Sequence, residues 1–336
     1  MTILFVDGFD AYSAATEFTR KWTSNTSGTL SATAGRFGGR CAQFPSNGGG
    51  NIQKTLSAAK TTVVTGFAVQ WPGTMTTFGP CAIVELRNST TTIMTLAYDY
   101  TSQSYKVYRG TTGGTLLQTV HAPHHAVYNH IIWKVLRNAS TGTIDLLING
   151  TSVLAVTNQN TGASDIDNVR YGFISGTSGV TGTMSLDDVF ITDSESLGDR
   201  RVYTIVPGSD DSVQFTPSSG TNNSALVDEL PTNNDTDYVE SSTVGNKDRY
   251  NLTNLGITPL TVDCVAVNAI NRKDDAGTKT VRAHIFSNAT NSDGATTSPS
   301  TSYTNTQDIF ALNPDGSVAW TGTSVDALKA GFEIVS

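Results

Sequence analysis

Apolar and polar residues alternate with period two through most of this chain. Thr62-Val-Val-Thr-Gly-Phe-Ala-Val-Gln-Trp71, Ala82–Arg87, Ile93–Tyr98, Tyr105–Tyr108, Thr115–Val120, His130–Leu136, Gly142–Ile148 and Leu186–Thr192 each read as a strand bounded by Gly, Asn, Ser or Pro. Strands at short spacing, with no helical period between them, predict an antiparallel sandwich rather than βαβ units. Ile148-Asn-Gly150 predicts a tight hairpin between Thr143–Ile148 and Ser152–Thr157, because Asn-Gly populates the primed turns that match strand twist. Arg109–Gly114 supplies a second turn.

After Leu186–Thr192 the chain turns polar, and a further set of strands is predicted at Val202–Val206, Leu260–Ala269, Thr278–Phe286, Thr306–Ala311 and Ala330–Val335. Asn271–Gly277 reads as a hairpin loop between the second and third of these, Asn291–Ser300 as an exposed loop, and Ser324–Ala330 as a short helical turn. The expected organisation is a domain over 1–195, a linker over 196–202 and a smaller β-sandwich over 203–336.

Composition narrows the function classes. Lys and Arg number 21 against 29 Asp and Glu, a net charge of −8, which is a poor footprint for binding nucleic acid. No apolar run approaches the ~20 residues needed to cross a bilayer as a helix, so no membrane insertion is expected. Met1–Asp7 carries no basic segment followed by a long apolar one, so no secretory signal is read there. Cys41, Cys81 and Cys264 are too widely spaced for a disulfide framework or a zinc knuckle.

The opening Leu4-Phe-Val-Asp-Gly-Phe-Asp-Ala-Tyr12, then Arg36–Phe44, then Trp133 followed by Gly142–Gly150, and Leu186-Asp-Asp-Val-Phe-Ile-Thr192 resemble the concanavalin A-like (laminin G-like) jelly rolls of bacteriophage virion proteins. In that family the first and last strands lie side by side. Asn233–Val239, Arg272–Thr278, Asn313–Trp320 and Ala330–Val335 resemble C-terminal β-domains of phage tail-associated or head-decorating proteins. The resemblance implies an all-β structural component of a virion, tail-associated or decorating the capsid, working through homo-oligomeric contacts with other virion proteins. The alternative is a lectin-like host-attachment module that binds surface glycans through loops at the sandwich edge. The fold alone does not choose.

Candidate chemistry is sparse. The family's glucanases carry Glu-x-Asp-x-x-Glu on one strand, and no such string occurs here. Asp187 and Asp188 are adjacent, so alternation predicts that they face opposite sides, one toward solvent and one capping a turn or bridging strands. His121, His124, His125 and His130 form an unusual cluster, which reads as a loop around Pro123 rather than a metal shell. Asp210–Glu240 holds seven carboxylates and no Lys or Arg, an acidic face that could meet a basic patch on a neighbouring subunit. No catalytic residue, cofactor or metal site is assigned, and the chain is expected not to be an enzyme. Trp71 and Trp133 belong to strand patterns and the core. Trp22 and Trp320 sit in polar contexts and are the candidates for interface or glycan contact.

Overall fold

The computed structural model describes residues 1–45, 49–72, 79–122, 126–175, 182–259 and 261–336. Pro123, His124, His125 and Leu260 lie outside the described residues. The chain forms two compact units, one of Met1–Asp10 with Ala14–Val202, the other of Ala11–Ser13 with Tyr203–Ser336.

The first unit is an antiparallel sandwich. Its strands are β1 (Ile3–Asp7), β2 (Ser24–Thr26), β3 (Thr29–Ser31), β4 (Cys41–Pro45), β5 (Asn51–Lys60), β6 (Thr62–Gln70), β7 (Cys81–Asn88), β8 (Thr91–Asp99), β9 (Ser104–Arg109), β10 (Thr115–His121), β11 (Asn129–Leu136), β12 (Gly142–Ile148), β13 (Thr151–Gln159), β14 (Ile166–Ser175) and β15 (Thr183–Thr192). One sheet runs β13-β12-β11-β6-β15-β4-β3, with β1 also on β15; the other runs β10-β9-β8-β7-β14-β5-β2. The first and last strands pair, Phe5 with Ile191 and Asp7 with Val189, as the jelly-roll resemblance implies.

Alternation explains the core. Thr65, Phe67 and Val69 face inward from β6, and Tyr98, Tyr171 and Phe173 meet them from the other sheet. Thr65 Oγ1 hydrogen-bonds Tyr171 across the interior, Phe67 sits 5.6 Å from the Tyr171 ring, and Trp71 sits 4.8 Å from Tyr98. Such offset aromatic contacts add ~0.5–1.5 kcal/mol each beyond the area they bury. The β12–β13 hairpin turns at Asn149 (φ 50°) and Gly150 (φ 77°), the primed geometry predicted for Asn-Gly. On the outer side of β6, Gly66 lies under the Phe190 ring; a Cβ there would stand 2.1 Å from it.

The second unit is built on a five-stranded sheet of order β16-β19-β24-β21-β22, from β16 (Pro207–Ser212), β19 (Lys247–Leu252), β21 (Val281–Ser287), β22 (Thr290–Asp293) and β24 (Lys329–Ile334). Two ribbons accompany it: β17 (Thr216–Pro217) with β18 (Val239–Glu240), and β20 (Val265–Asn271) with β23 (Thr304–Phe310). Ile285 and Ala330 of the sheet, Leu255, Trp320, Val325 and Leu328 make its core, with Val265, Val267 and Phe310 of the β20–β23 ribbon packed against them. A single helical turn, α1 (Gly322–Asp326), starts at a reciprocal cap between Thr321 and Ser324.

Three local expectations are corrected. Asn271–Gly277 does not close a hairpin, because β20 pairs with β23 while β21 pairs with β22 and β24. Asn291–Asp293, the start of the segment Asn291–Ser300 read as an exposed loop, lie in strand β22, which turns from β21 at Asn288 (φ 53°). Val202–Val206 forms no strand: the Val202 amide donates to Asp188 Oδ1 (2.8 Å) and the Val206 amide to Thr253 Oγ1 (3.1 Å), so side chains take the hydrogen bonds a ladder would need.

Candidate functional site

Pairing fixes which side chains share the outer face of the β10–β2 sheet. Val84, Leu86, Leu96, Val107 and Tyr171 point into the core. Their neighbours Glu85, Thr95, Tyr108 and Arg170 therefore point out, and they lie in register: Gln53 opposite Arg170, Arg170 opposite Glu85, Glu85 opposite Thr95, Thr95 opposite Tyr108. Four inter-strand steps of ~4.8 Å make this row roughly 19 Å long. A second row places Arg87 opposite Asn168.

The groups are drawn together and removed from water. Arg170 Nη1 donates to Glu85 Oε2 at 3.1 Å, Arg87 Nε lies 3.9 Å from the same oxygen, and Arg87 Nη1 donates to Gln53 Oε1 at 2.8 Å. Arg87 also donates to the Thr90 carbonyl. Glu85 is 4% exposed and Arg87 9%. Burial pushes the Arg170 guanidinium below its ordinary range, opposed by Glu85 and reinforced by Arg87. Two cations thus share one carboxylate, and Arg87 Nε, Arg170 Nε and Asn168 Oδ1 are buried without a hydrogen-bond partner. Native interiors rarely leave such groups unpaired, and the exceptions concentrate where function needs them. Further along the face, Lys106 Nζ donates to Asp99 Oδ2 at 2.5 Å; burial alone would raise Asp99, but Lys106 and Ser102 hold it below the usual carboxylate range.

Asp99 stands four residues along β8 from Thr95, the residue opposite Glu85, so the two acids are ~13 Å apart along the strand. The described face therefore holds no carboxylate pair at the ~5–5.5 Å of a retaining glycosidase.

The residues singled out from the sequence fall elsewhere. Trp22 is 2% exposed; its indole donates to Asp7 Oδ2 at 2.7 Å and its ring packs on Phe5, Phe9 and Tyr171. Trp320 is 3% exposed and donates to the Phe310 carbonyl at 2.8 Å. Both are core residues, and neither offers a ring face to a partner. Within Asp210–Glu240, at least three of the seven carboxylates are engaged: Asp210 accepts from the Asn223 and Ser224 amides, Asp211 binds Arg249 and Lys329, and Asp235 binds Arg272. His121 lies on β10, 3.4 Å from the Ser102 carbonyl, and His130 on β11 of the opposite sheet, so the two do not meet. Among the described residues no three His, Cys, Asp or Glu side chains gather as a metal shell.

Asp187 and Asp188 are corrected most. Both are buried, because the pairing of β15 with β6 slips between Asp187 and Phe190 and Asp188 turns to φ 49°, which breaks the alternation. Asp187 accepts from the Arg36 and Asp188 amides, and Asp188 from the Val202 amide and Arg36. Burial raises both carboxyls, Asp187 the more because Asp188 adds to it. Beside them His130 is fully buried, stacks on Phe190, and leaves both ring nitrogens unpartnered; Nδ1 is 3.8 Å from Asp199.

Burial lowers the His130 pKa to about 4; Asp199 opposes this, and Arg36 and Arg200 add to it. An unfolded histidine titrates near ~6.5, so between those values the unfolded chain binds the extra proton and stability falls as the pH falls. A His130→Phe variant is expected to melt higher at pH 7, by roughly the ~1–3 kcal/mol cost of burying unpaired polar atoms, and to lose part of the decline between pH 6.5 and 4. Melting curves across that range check it.

No protein-family model matches the chain, and no curated protein sequence matches it. Some solved structures are similar to part of this chain. An alginate lyase from Chlorella virus is 10% identical, with TM-score 0.39 over 55% of this chain and 100% of the lyase. A GH131 beta-glucanase catalytic domain from Podospora anserina is 15% identical, with TM-score 0.39 over 59% and 98%. The carbohydrate-binding module CBM66 from Bacillus subtilis is 11% identical, with TM-score 0.31 over 50% and 93%. The virion role finds no support in these comparisons. The exclusion of enzymatic activity does not stand either, because catalytic domains are among the similar structures; at this identity the likeness is one of fold and assigns no reaction. The chain is all-β, and its first unit is a sandwich of two antiparallel sheets.

Proposed function

We propose that the first unit binds glycans on the outer face of its β10–β2 sheet. One observation carries the reading: the row Gln53–Arg170–Glu85–Thr95–Tyr108, with Arg87 and Asn168 beside it, gathers donors and acceptors on one side of a sheet and leaves Arg87 Nε, Arg170 Nε and Asn168 Oδ1 buried and unpaired. Sugar hydroxyls both donate and accept. Amide, guanidinium and carboxylate side chains held by a rigid sheet suit them, because little rotamer freedom remains to be lost on binding. This places the ligand on the sheet face, where the sequence-based alternative placed it on edge loops.

Array screening of the full chain is expected to retain at least one oligosaccharide, with Arg170→Ala or Gln53→Ala weakening it roughly tenfold or more, ~1.4 kcal/mol, while the fold persists by circular dichroism. Loss of retention with neither variant, or no retained glycan at all, refutes the proposal. Product analysis of the retained glycan reads bond cleavage in the same experiment.

A further inference from the structure

The outer face of the five-stranded sheet carries a separate feature. Arg249, Gly331, His284 and Asp293 lie in register across β19, β24, β21 and β22, and Ser212 of β16 lies opposite Arg249. Ile285 on β21 faces the core, so His284 faces out. A cavity of about 160 Å³ opens over this row, lined by Ser212, Lys247, Arg249, His284, Asn291 and Asp293. That is roughly the space of five waters at ~30 Å³ each.

Its charge is uneven. Lys247 and Arg249 line it against one carboxylate, Asp293, and that carboxylate is held by Arg282 at 2.9 Å. Arg249 is fixed from behind, with Nε on Asp211 Oδ2 at 2.5 Å and its guanidinium 4.2 Å from the Phe286 ring centroid. Lys247 reaches Glu333 at 3.0 Å. His284 is 3% exposed, and its Nδ1 is buried with no hydrogen-bond partner. Burial, with Lys247 adding to it, lowers its pKa to about 4, so near neutrality the ring is uncharged and can carry one N–H toward an acceptor. A preorganised guanidinium, an ammonium and a neutral imidazole around a small polar cavity match a planar anion.

We propose that this cavity is a binding site for a small carboxylate, taken as a free acid or as the acid group of a larger molecule. Arg249 and Lys247 supply the charge, and His284 and Asn291 supply directed hydrogen bonds. The site lies wholly in the second unit and does not depend on the glycan reading.

The test titrates the full-length protein with sodium acetate and sodium D-glucuronate while the His284 ring nitrogens are followed by NMR; glucose and inorganic phosphate are the comparison arms. Saturable shifts of the His284 resonances with both carboxylates, none with glucose, and roughly tenfold weaker binding in Arg249→Gln are expected. Asn291→Ala, which breaks no ion pair, is expected to weaken binding about threefold and keeps the test readable if Arg249→Gln fails to fold. Absence of a saturable His284 shift with either carboxylate overturns the proposal. So does an equal response to glucose, or tighter binding of phosphate than of acetate.

Discussion

Replacing Asp248 with alanine is expected to destabilise the second unit by at least ~3 kcal/mol. This carboxylate, 1% exposed, accepts four hydrogen bonds of 2.7 Å, from the Gln214 and Phe215 amides, Asn223 Nδ2 and the Tyr250 hydroxyl. All four of these partners are hydrogen-bond donors. Burial and the neighbouring carboxylate push the Tyr250 phenol far above its ordinary range, so it remains a donor at any working pH. Removing the acceptor orphans two buried donors, Asn223 Nδ2 and the Tyr250 hydroxyl, each worth ~1–3 kcal/mol when left unpaired, and two half-buried amides, although they relax together and do not simply add. Asp248→Asn keeps the shape but turns one acceptor into a donor facing other donors, and should fall between wild type and Asp248→Ala. Hydrogen exchange resolved by segment is the measurement. Faster exchange along β19 and β24 with the first unit unchanged is expected, and unaltered protection in Asp248→Ala contradicts it.

The second large effect is at Glu85. In Glu85→Ala, Arg87 and Arg170 face each other without their shared carboxylate, and breaking a buried ion pair from one side costs ~3–5 kcal/mol. The side chains are 5%, 11% and 22% exposed, so solvent screens them only in part. The loss should therefore exceed that of an ordinary surface pair, ~0–1 kcal/mol. Adding Arg170→Gln to Glu85→Ala removes one of the two stranded cations and is expected to recover part of the stability, while glycan retention stays weaker than in the wild type. Denaturant midpoints for the single and double variants give this coupling directly. Additive losses would show that the three side chains do not act as one cluster.

The strands were legible where they kept their alternation: β6, β11 and β12 follow their apolar periods, and Asn149-Gly150 announced its own turn. The pairing of β1 with β15 came from the family resemblance. What stayed hidden depended on contacts distant in sequence. Trp22 looks exposed among Lys21, Thr23 and Ser24 until Asp7, folded onto it from β1, supplies an acceptor for its indole. The candidate site draws on positions 53, 85, 95, 108 and 170, which become neighbours only when the strand order is known. One local signal was present: Glu85 and Arg87 interrupt an otherwise apolar strand at alternate positions, which places two charges on one face. Asp187 and Asp188 misled because alternation assumes an unbroken ladder, and the bulge at Asp188 breaks it.

The central assignment is tested most directly by a crystal structure of the full chain with the tightest glycan from the array. Sugar density over the β10–β2 sheet is predicted, with hydroxyls within hydrogen-bond reach of Arg170, Glu85 and Gln53. Well-ordered sugar bound elsewhere on the first unit, with none on that face, would contradict it.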